Sequence, residues 1–576
     1  MRILLLTHSF NSLTQRLFAE LREDGHELSV EFDIADSVAE EAVALFAPDV
    51  IVAPFLKRAV PESIWRRHLT LIVHPGIVGD RGPSALDWAI QNGEASWGVT
   101  VLQAEAEMDA GPVWATREFA MRAAPKASIY RNEISAGALA AVREALARVA
   151  DWRAGRWAPT ALADWPNARG QWRELMHQAD RRIDWSRDTT ATVLAKIRAA
   201  DGFPGVADAL FGEPCQLFDA QPGTAPAGAV PGAVVGRRDG ALLRATVDGA
   251  VWIGHVKCGG SEHPFKLPAT LAFADQAASV PRVDTDPEAA EIGYRESDDG
   301  AVGFLRFDFT NGAMSTAQCV RLRDAIAAAG ARPTRVLVLE GGRDFWSNGI
   351  HLNVIEAAES PADESWANIN AMNDVCLALL TLTSKRTVAA MRGNAGAGGC
   401  FLALAADVVW AREGVVMNPH YKNMGNLFGS EYWSYLLPRR VGEAAGRRLM
   451  GDRLPLLAHR AVALGLIDAC FGATPDEFAA EVAHRAAALA ADPALPGHLA
   501  DKAARRAADE ADKPLADYRA EELRHMQRNF YGFDPSYHVA RYHFVLKSPQ
   551  SWTPRHLARH RDLGWQVPAV NESAAV

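Results

Sequence analysis

The chain has 576 residues, a formal net charge of −10, 49% hydrophobic and 23% charged residues, a globular composition that excludes disordered, collagen-like and low-complexity architectures. At about 100–200 residues per domain the length suggests about three to five domains. Lys and Arg are outnumbered by Asp and Glu and no long basic run appears, so small-molecule substrates are expected and a nucleic-acid partner is not.

Residues 2–7 are a short apolar run, residues 12–23 repeat at helical spacing, and 49–54 and 69–73 are again short apolar runs. Such alternation marks an α/β domain with a mainly parallel sheet. It lasts to residue 125; a helical stretch follows at 135–149, then a connector bearing Trp and Pro at 152–170. From 205 to 260 the signal becomes three strand-like runs, 232–235, 241–247 and 250–256, separated by Arg238-Asp239-Gly240 and Val247-Asp248-Gly249. Asp-Gly between such runs predicts hairpins, because glycine takes positive φ without steric cost, so a small antiparallel β domain is expected. Residues 275–299 mix Pro, Asp, Glu and Ser without period and read as a linker. A second α/β unit then opens with strand-like runs at 303–309 and 334–340 around a helix at 317–329, and the chain ends in helices at 475–491 and 497–529.

Cys215, Cys258, Cys319, Cys376, Cys400 and Cys470 show neither C-x-x-C nor metal-ligand spacing, which predicts reduced packing residues and no metal. The opening apolar run is too short for a signal sequence, and nowhere do about eighteen apolar residues follow one another. A soluble cytoplasmic protein with no membrane partner is expected.

His74-Pro75-Gly76 follows the run 69–73 directly, which puts His74 at the carboxyl end of a strand, where open α/β sheets place ligands. Met108-Asp109-Ala110-Gly111 offers a carboxylate on a loop. The two suit general acid/base work, the carboxylate orienting the imidazole and holding its charge; on spacing alone a structural histidine beside an exposed aspartate fits as well. The His74-Pro75 and Arg81-Gly82 run, Trp88-Ala89-Ile90 with Asn92-Gly93-Glu94, Gly98-Val99-Thr100 and the 108–111 loop resemble the 10-formyltetrahydrofolate-dependent formyltransferase/hydrolase family. Arg181-Arg182-Ile183-Asp184-Trp185 and Gly202-Phe203-Pro204-Gly205 resemble the start of that family's small β domain. The resemblance implies catalysis by His74 and Asp109 and a folate-binding region at Arg81, Gly82, Trp88 and Asp109. It also shows a departure: the family's N-x-H pattern has Ile72 in place of Asn. Losing one oxyanion donor typically costs on the order of 10²–10³ in rate, so either the acceptor differs or backbone donors compensate.

Further on, Lys385 to Met391 leads into Arg392-Gly393-Asn394-Ala395-Gly396-Ala397-Gly398-Gly399-Cys400. Glycines at a strand-to-helix junction expose backbone N–H groups to an anionic oxygen, although close packing explains them equally. With Phe345-Trp346-Ser347-Asn348-Gly349-Ile350-His351-Leu352 the turn resembles the enoyl-CoA hydratase/isomerase (crotonase) family. By that resemblance the backbone N–H groups of Ile350 and Gly398 form an oxyanion hole for a thioester carbonyl. The two positions where hydratases carry Glu are Phe401 and His420 here, while Glu431 stands where hydratases have small residues. Water addition is therefore not expected; altered chemistry through Tyr421 and Glu431 is, with a surface glutamate as the alternative.

The combination predicts a multidomain α/β protein. Its parts are an N-terminal doubly wound formyltransferase-like domain (1–165), a small antiparallel, OB-like β domain (166–275), a linker (276–295) and a C-terminal crotonase-like domain with terminal helices (296–576). Domain order and both departures resemble the HypX (HoxX) type of nickel–iron hydrogenase maturation family. That resemblance implies carbon monoxide synthesis from 10-formyltetrahydrofolate, with coenzyme A as formyl acceptor and maturation proteins as partners receiving the product. Formyl-CoA has no α-carbon, so enolate chemistry is closed to it and loss of the formyl hydrogen with expulsion of thiolate is the open path. Alternatives are a formyltransferase for an amine or sugar with an inert crotonase domain, or a non-enzymatic carrier. The segment 541–561 reads as a solvated helical face, or as a contact to CoA phosphates.

Overall fold

The computed structural model describes residues 1–562 and contains two compact units, residues 1–177 with the segment from 549, and residues 178–548. In the first, β1 (Arg2–Thr7), β2 (Glu27–Phe32), β3 (Val50–Phe55) and β4 (Thr70–His74) run parallel. β5 (Ser96–Gln103) and β6 (Val113–Ala120) extend the sheet antiparallel, in the order β2-β1-β3-β4-β5-β6. β1 and β3 are continuous apolar runs because both faces are covered: Leu4, Leu6 and Ile51 pack on Ala42, Val43 and Phe46 of the helix Asp36–Phe46. The helix Ser12–Glu23 starts where Asn11 accepts from the backbone N–H of Thr14, a side-chain cap.

β2 is the outermost strand, and an uncovered edge is a template for unwanted pairing. The chain's own C-terminal segment covers it. The N–H of Val30 donates to the carbonyl of Leu557 at 3.0 Å and that of Phe32 to Thr553 Oγ1 at 2.8 Å. Beneath them, the fully buried Glu31 receives His560 Nε2 at 2.8 Å and Arg561 Nη2 at 2.8 Å, while His560 Nδ1 meets Ser29 Oγ at 2.7 Å. The single solvated helical face expected for 541–561 does not form. Arg541 is buried on Glu356 at 2.6 Å, the helix Ser536–Val545 stops, and Arg561 serves Glu31 and Glu41. The expected crotonase-like domain ran to residue 576; residues 549–562 group with the first unit instead, and residues 563–576 lie outside the described residues.

The second unit opens with the helix Thr190–Ala200, whose Val193, Leu194 and Ile197 fill the core of an antiparallel sheet. That sheet comprises β7 (Val206–Leu210), β8 (Glu213–Gly223), β9 (Val234–Arg238), β10 (Ala241–Ala245), β11 (Ala250–Lys257) and β12 (Lys266–Pro268). Asp239, at φ 50°, turns the β9–β10 hairpin. The expected linker is structured at its end: β13 (Ile292–Glu296) pairs antiparallel with β14 (Val302–Phe307). β13 has a single neighbour in the sheet and little apolar content, so no periodic signal announced it. Parallel strands Val336–Glu340, Arg386–Met391, Val408–Arg412 and Ala469–Phe471 complete this sheet. Capping boxes at Ser315 and Thr474 start the helices Thr316–Gly330 and Pro475–Ala491. The single helix expected at 497–529 is two, Leu495–Asp512 and Leu515–Tyr531, because Pro514 between them has no N–H to continue the ladder. All six cysteines are free thiols.

Breaking a buried ion cluster by removing one partner costs about 3–5 kcal/mol. His560→Ala leaves Glu31 with Arg561 and Thr553, so the expected loss is near the lower end, about 3 kcal/mol. Denaturant unfolding read by tryptophan fluorescence checks it: an unchanged midpoint would show that Arg561 alone balances Glu31.

Candidate active site

β4 ends at His74, which stands opposite Thr100 of β5. The loop that follows is pinned: Trp97 Nε1 donates to the carbonyl of Pro75 at 2.9 Å and Thr100 Oγ1 to that of Gly76 at 2.8 Å. A Cβ on Gly76 would lie 2.3 Å from His74 Nε2 and 2.9 Å from Asp80 Oδ2, so only glycine lets ring and carboxylate close on this turn. His74 is buried, with Nδ1 3.4 Å from Asp109 Oδ2 and Nε2 3.2 Å from Asp80 Oδ2. The sequence-predicted pair is thus brought together, and a second carboxylate not anticipated from sequence faces the other ring nitrogen. Asp109 sits at φ 53°, a left-handed conformation uncommon outside glycine, and its Oδ2 accepts from the N–H of Gly82 at 3.3 Å. Arg81 pairs with Glu107, and Trp88 Nε1 donates to the carbonyl of Glu174 at 2.9 Å. Ile72 packs on the apolar cluster containing Leu4 and Phe46.

In the second unit, Gly349–Ile350 runs beside the start of the helix Gly398–Leu404: a Cβ on Gly349 would lie 3.5 Å from the backbone N of Gly398. A Cβ on Gly398 would lie 2.1 Å from Glu431 Oε1, so the glutamate reaches this junction because Gly398 has no side chain. Tyr421 Oη donates to Glu431 Oε2 at 2.6 Å and lies 2.9 Å from the carbonyl of Ser430. Ten residues apart, the two meet because the chain between them loops. Gly425 and Gly429 take φ 62° and 96°, and Glu431 and Tyr432 take 59° and 58°. Phe401 and His420, where hydratases have Glu, are both buried, and the Phe401 ring stacks on Tyr421 at 5.5 Å. An aromatic floor under a phenol replaces the carboxylate there.

Burial pushes the Glu431 carboxyl up to about 8, against the hydrogen bond from Tyr421, and pushes the Tyr421 hydroxyl well above its ordinary value. Two further residues hold the loop. Asn373 Oδ1 accepts from the N–H of Glu431 at 2.7 Å and from Ser430 Oγ at 2.9 Å. Glu522, fully buried, accepts from the N–H groups of Tyr432 and Ser434 at 3.0 and 2.8 Å and from Ser434 Oγ at 2.6 Å. Its carboxyl is raised to about 7, chiefly by burial. Sequence reasoning missed both. The signal for Glu522 was available: it shares the buried stripe of its helix with Leu515, Met526 and Phe530, where a glutamate is out of place unless it has partners.

Residues 20–138 match the family model described as formyl transferase, 175–264 that of the formyl transferase C-terminal domain, and 310–553 that of enoyl-CoA hydratase/isomerase. The chain is 56% identical to the hydrogenase maturation factor HoxX of Bradyrhizobium diazoefficiens over 97% of each chain. It is 30% identical to the methionyl-tRNA formyltransferase of Roseiflexus castenholzii, over 38% of this chain and 71% of that one. The crystal structure of HypX from Aquifex aeolicus in complex with tetrahydrofolic acid superposes with a TM-score of 0.93 at 47% identity, covering 98% of this chain and 100% of that chain.

The raised Glu431 carboxyl has a consequence for stability. Its folded value, about 8, lies above the ordinary 4.5, so the folded state binds the proton more tightly and stability is lost as pH rises from about 4.5 to 8. Gln cannot ionise and still accepts from Tyr421. Thermal unfolding should show Glu431→Gln gaining on the parent from pH 5 to pH 8; a difference independent of pH would mean that the carboxylate is not paying for its burial.

Proposed function

The chain belongs to the HoxX/HypX family of hydrogenase maturation factors, and from this premise we propose that it makes carbon monoxide for the iron of a nickel–iron hydrogenase in two steps. It transfers formyl from 10-formyltetrahydrofolate to coenzyme A, then decarbonylates formyl-CoA. The observation that carries the reading is the Glu431–Tyr421 pair, buried against Gly398 in a fold whose hydratase carboxylates are replaced by Phe401 and His420.

The folate half rests on the formyl transferase domains and on the tetrahydrofolic acid complex of the Aquifex aeolicus protein. Coenzyme A supplies a thiol, an intrinsically good nucleophile that needs less oxyanion support than an amine or water does, consistent with Ile72 in place of an amide. As the new C–S bond forms and the C–N bond to folate breaks, the thiol proton has to reach the folate nitrogen. His74 carries it, with Asp109 orienting the ring and balancing its charge. Arg81, Gly82 and Trp88 form the surroundings that hold the folate.

In the second step the N–H groups of Ile350 and Gly398 hold the formyl oxygen. Glu431 takes the formyl proton, the C–S bond breaks, and Tyr421 protonates the departing sulfur, recovering its own proton from Glu431 across their 2.6 Å hydrogen bond. The proton moves from carbon to sulfur with no net oxidation, and CO and free thiol leave. A base with a pKa near the working pH suits this step, and burial puts Glu431 there. The substrates are cytoplasmic metabolites, so the reading includes a cytoplasmic location, with maturation proteins receiving the CO. Among the described residues no helix is long and apolar enough to cross a membrane.

Supplying formyl-folate and CoA and trapping CO with haem tests the whole reaction; formyl-folate consumption that proceeds equally fast without CoA would overturn the acceptor assignment. Asp109→Asn should lose formyl transfer by about 10²–10⁴-fold while still releasing CO from synthetic formyl-CoA. Glu431→Gln should do the reverse, and Tyr421→Phe should slow CO release only. CO release by the parent should rise with pH and level off above about 8 as Glu431 ionises; parent-rate release by both Glu431→Gln and Tyr421→Phe would make the pair structural.

A further inference from the structure

Asp80 is a fully buried carboxylate with two partners. Its Oδ2 lies 3.2 Å from His74 Nε2, and its Oδ1 accepts from Arg173 Nε at 3.0 Å. Arg173 is itself nearly buried; its guanidinium lies over the Trp97 ring at 5.6 Å and within 3.6 Å of Glu94. Backbone bonds fix the carboxylate's position. The N–H of Asp80 donates to the carbonyl of Ile77 at 3.0 Å, that of Arg81 to Gln171 at 3.1 Å, and that of Arg173 to Arg81 at 2.9 Å. A Cβ on Gly170 would fall 1.7 Å from the N of Asp80, so the segment carrying Arg173 can lie this close only with glycine there. The charged groups facing the His74 ring are Asp80 from the loop after β4 and Asp109 from the loop between β5 and β6; Arg173 acts through Asp80, and Arg81 is committed to Glu107.

Both carboxylates beside the ring only accept hydrogen bonds when ionised, and a neutral imidazole has one N–H to give them; Asp80, the nearer at 3.2 Å against 3.4 Å and fixed in place by Arg173, takes it from Nε2. That leaves Nδ1, the nitrogen beside Asp109, as the acceptor. We propose that Asp80, anchored by Arg173, is a positioning residue for formyl transfer that fixes the His74 tautomer with its proton on Nε2 and Nδ1 free to exchange a proton beside Asp109. The inference rests on the formyl-transfer reading of this site. The division of labour is that of the hydrolase triads, where a carboxylate on one ring nitrogen dictates which nitrogen does the chemistry.

Asp80→Asn in the full chain tests it. Arg173 retains the amide oxygen, so the amide NH₂ faces Nε2 and forces the proton to Nδ1. Turnover of formyl-folate with CoA should fall by on the order of 10² or more, towards the 10⁴ that the same tautomer change gives in a serine protease triad, at unchanged KM for formyl-folate. CO release from synthetic formyl-CoA should not change. Nitrogen-15 spectra of ring-labelled histidine, assigned by loss of the His74 signal in His74→Gln, should show Nε2–H in the neutral parent and Nδ1–H in Asp80→Asn. Parent-like turnover in Asp80→Asn, or Nδ1–H in the parent, overturns the proposal. If the variant fails to fold, the parent spectrum alone decides. A parent that consumes no formyl-folate in the presence of CoA would instead overturn the reaction assignment, with the tautomer still readable.

Discussion

Keeping the carboxylate of Glu431 out of water is the constraint on which the second unit's site is built. A buried carboxyl must find donors or take up a proton, and here it has one strong donor, Tyr421, and a glycine, Gly398, in the place where a side chain would stand. The surrounding loop is held from outside. Asn373, on the helix Pro361–Leu380, and Glu522, on the helix Leu515–Tyr531, bind the backbone at Glu431, Tyr432 and Ser434. Glu431 and Tyr432 can stay in the left-handed region only because those contacts over-determine them, since each such residue stores about 1–3 kcal/mol of strain.

The first unit solves a related problem differently. Its buried His74 ring is not isolated from charge but set between two carboxylates, one braced by an arginine and the other by the N–H of Gly82. Both sites use a left-handed non-glycine acid, Asp109 and Glu431, and both depend on a glycine whose absent Cβ makes room for the acid or the ring, Gly76 and Gly398. Close approach of ionisable groups to backbone is the common device.

Chain order adds a structural condition. The second unit is inserted, in sequence, between residue 177 and residue 549 of the first. The returning segment covers β2, the exposed edge of the first sheet, and supplies the partners of buried Glu31. The formyl-transferase-like sheet is therefore completed by residues more than five hundred positions away, and its edge strand depends on the chain's last described turn.

What the sequence determined by itself was whatever local patterning and short motifs carry. The apolar run 2–7, the amphipathic helix 12–23 and the capped helix 475–491 fall where their periodicity puts them, and His74, Asp109, Tyr421 and Glu431 stand out by motif and by departure from motif. Periodicity records how a residue is buried by its own element, so it was silent on β13, with one sheet neighbour and little apolar content, and it ran 497–529 together across Pro514. Only tertiary structure decided the rest. Asp80 meets Arg173 from 93 positions away, Glu522 meets Ser434 from 88, and Glu31 meets His560 from 529. A glutamate on a buried helical stripe, as Glu522 is, announces that it needs partners, but which partners they are is not written in the local sequence, because the energy of a buried charge is set by what the fold brings against it and not by its neighbours in the chain.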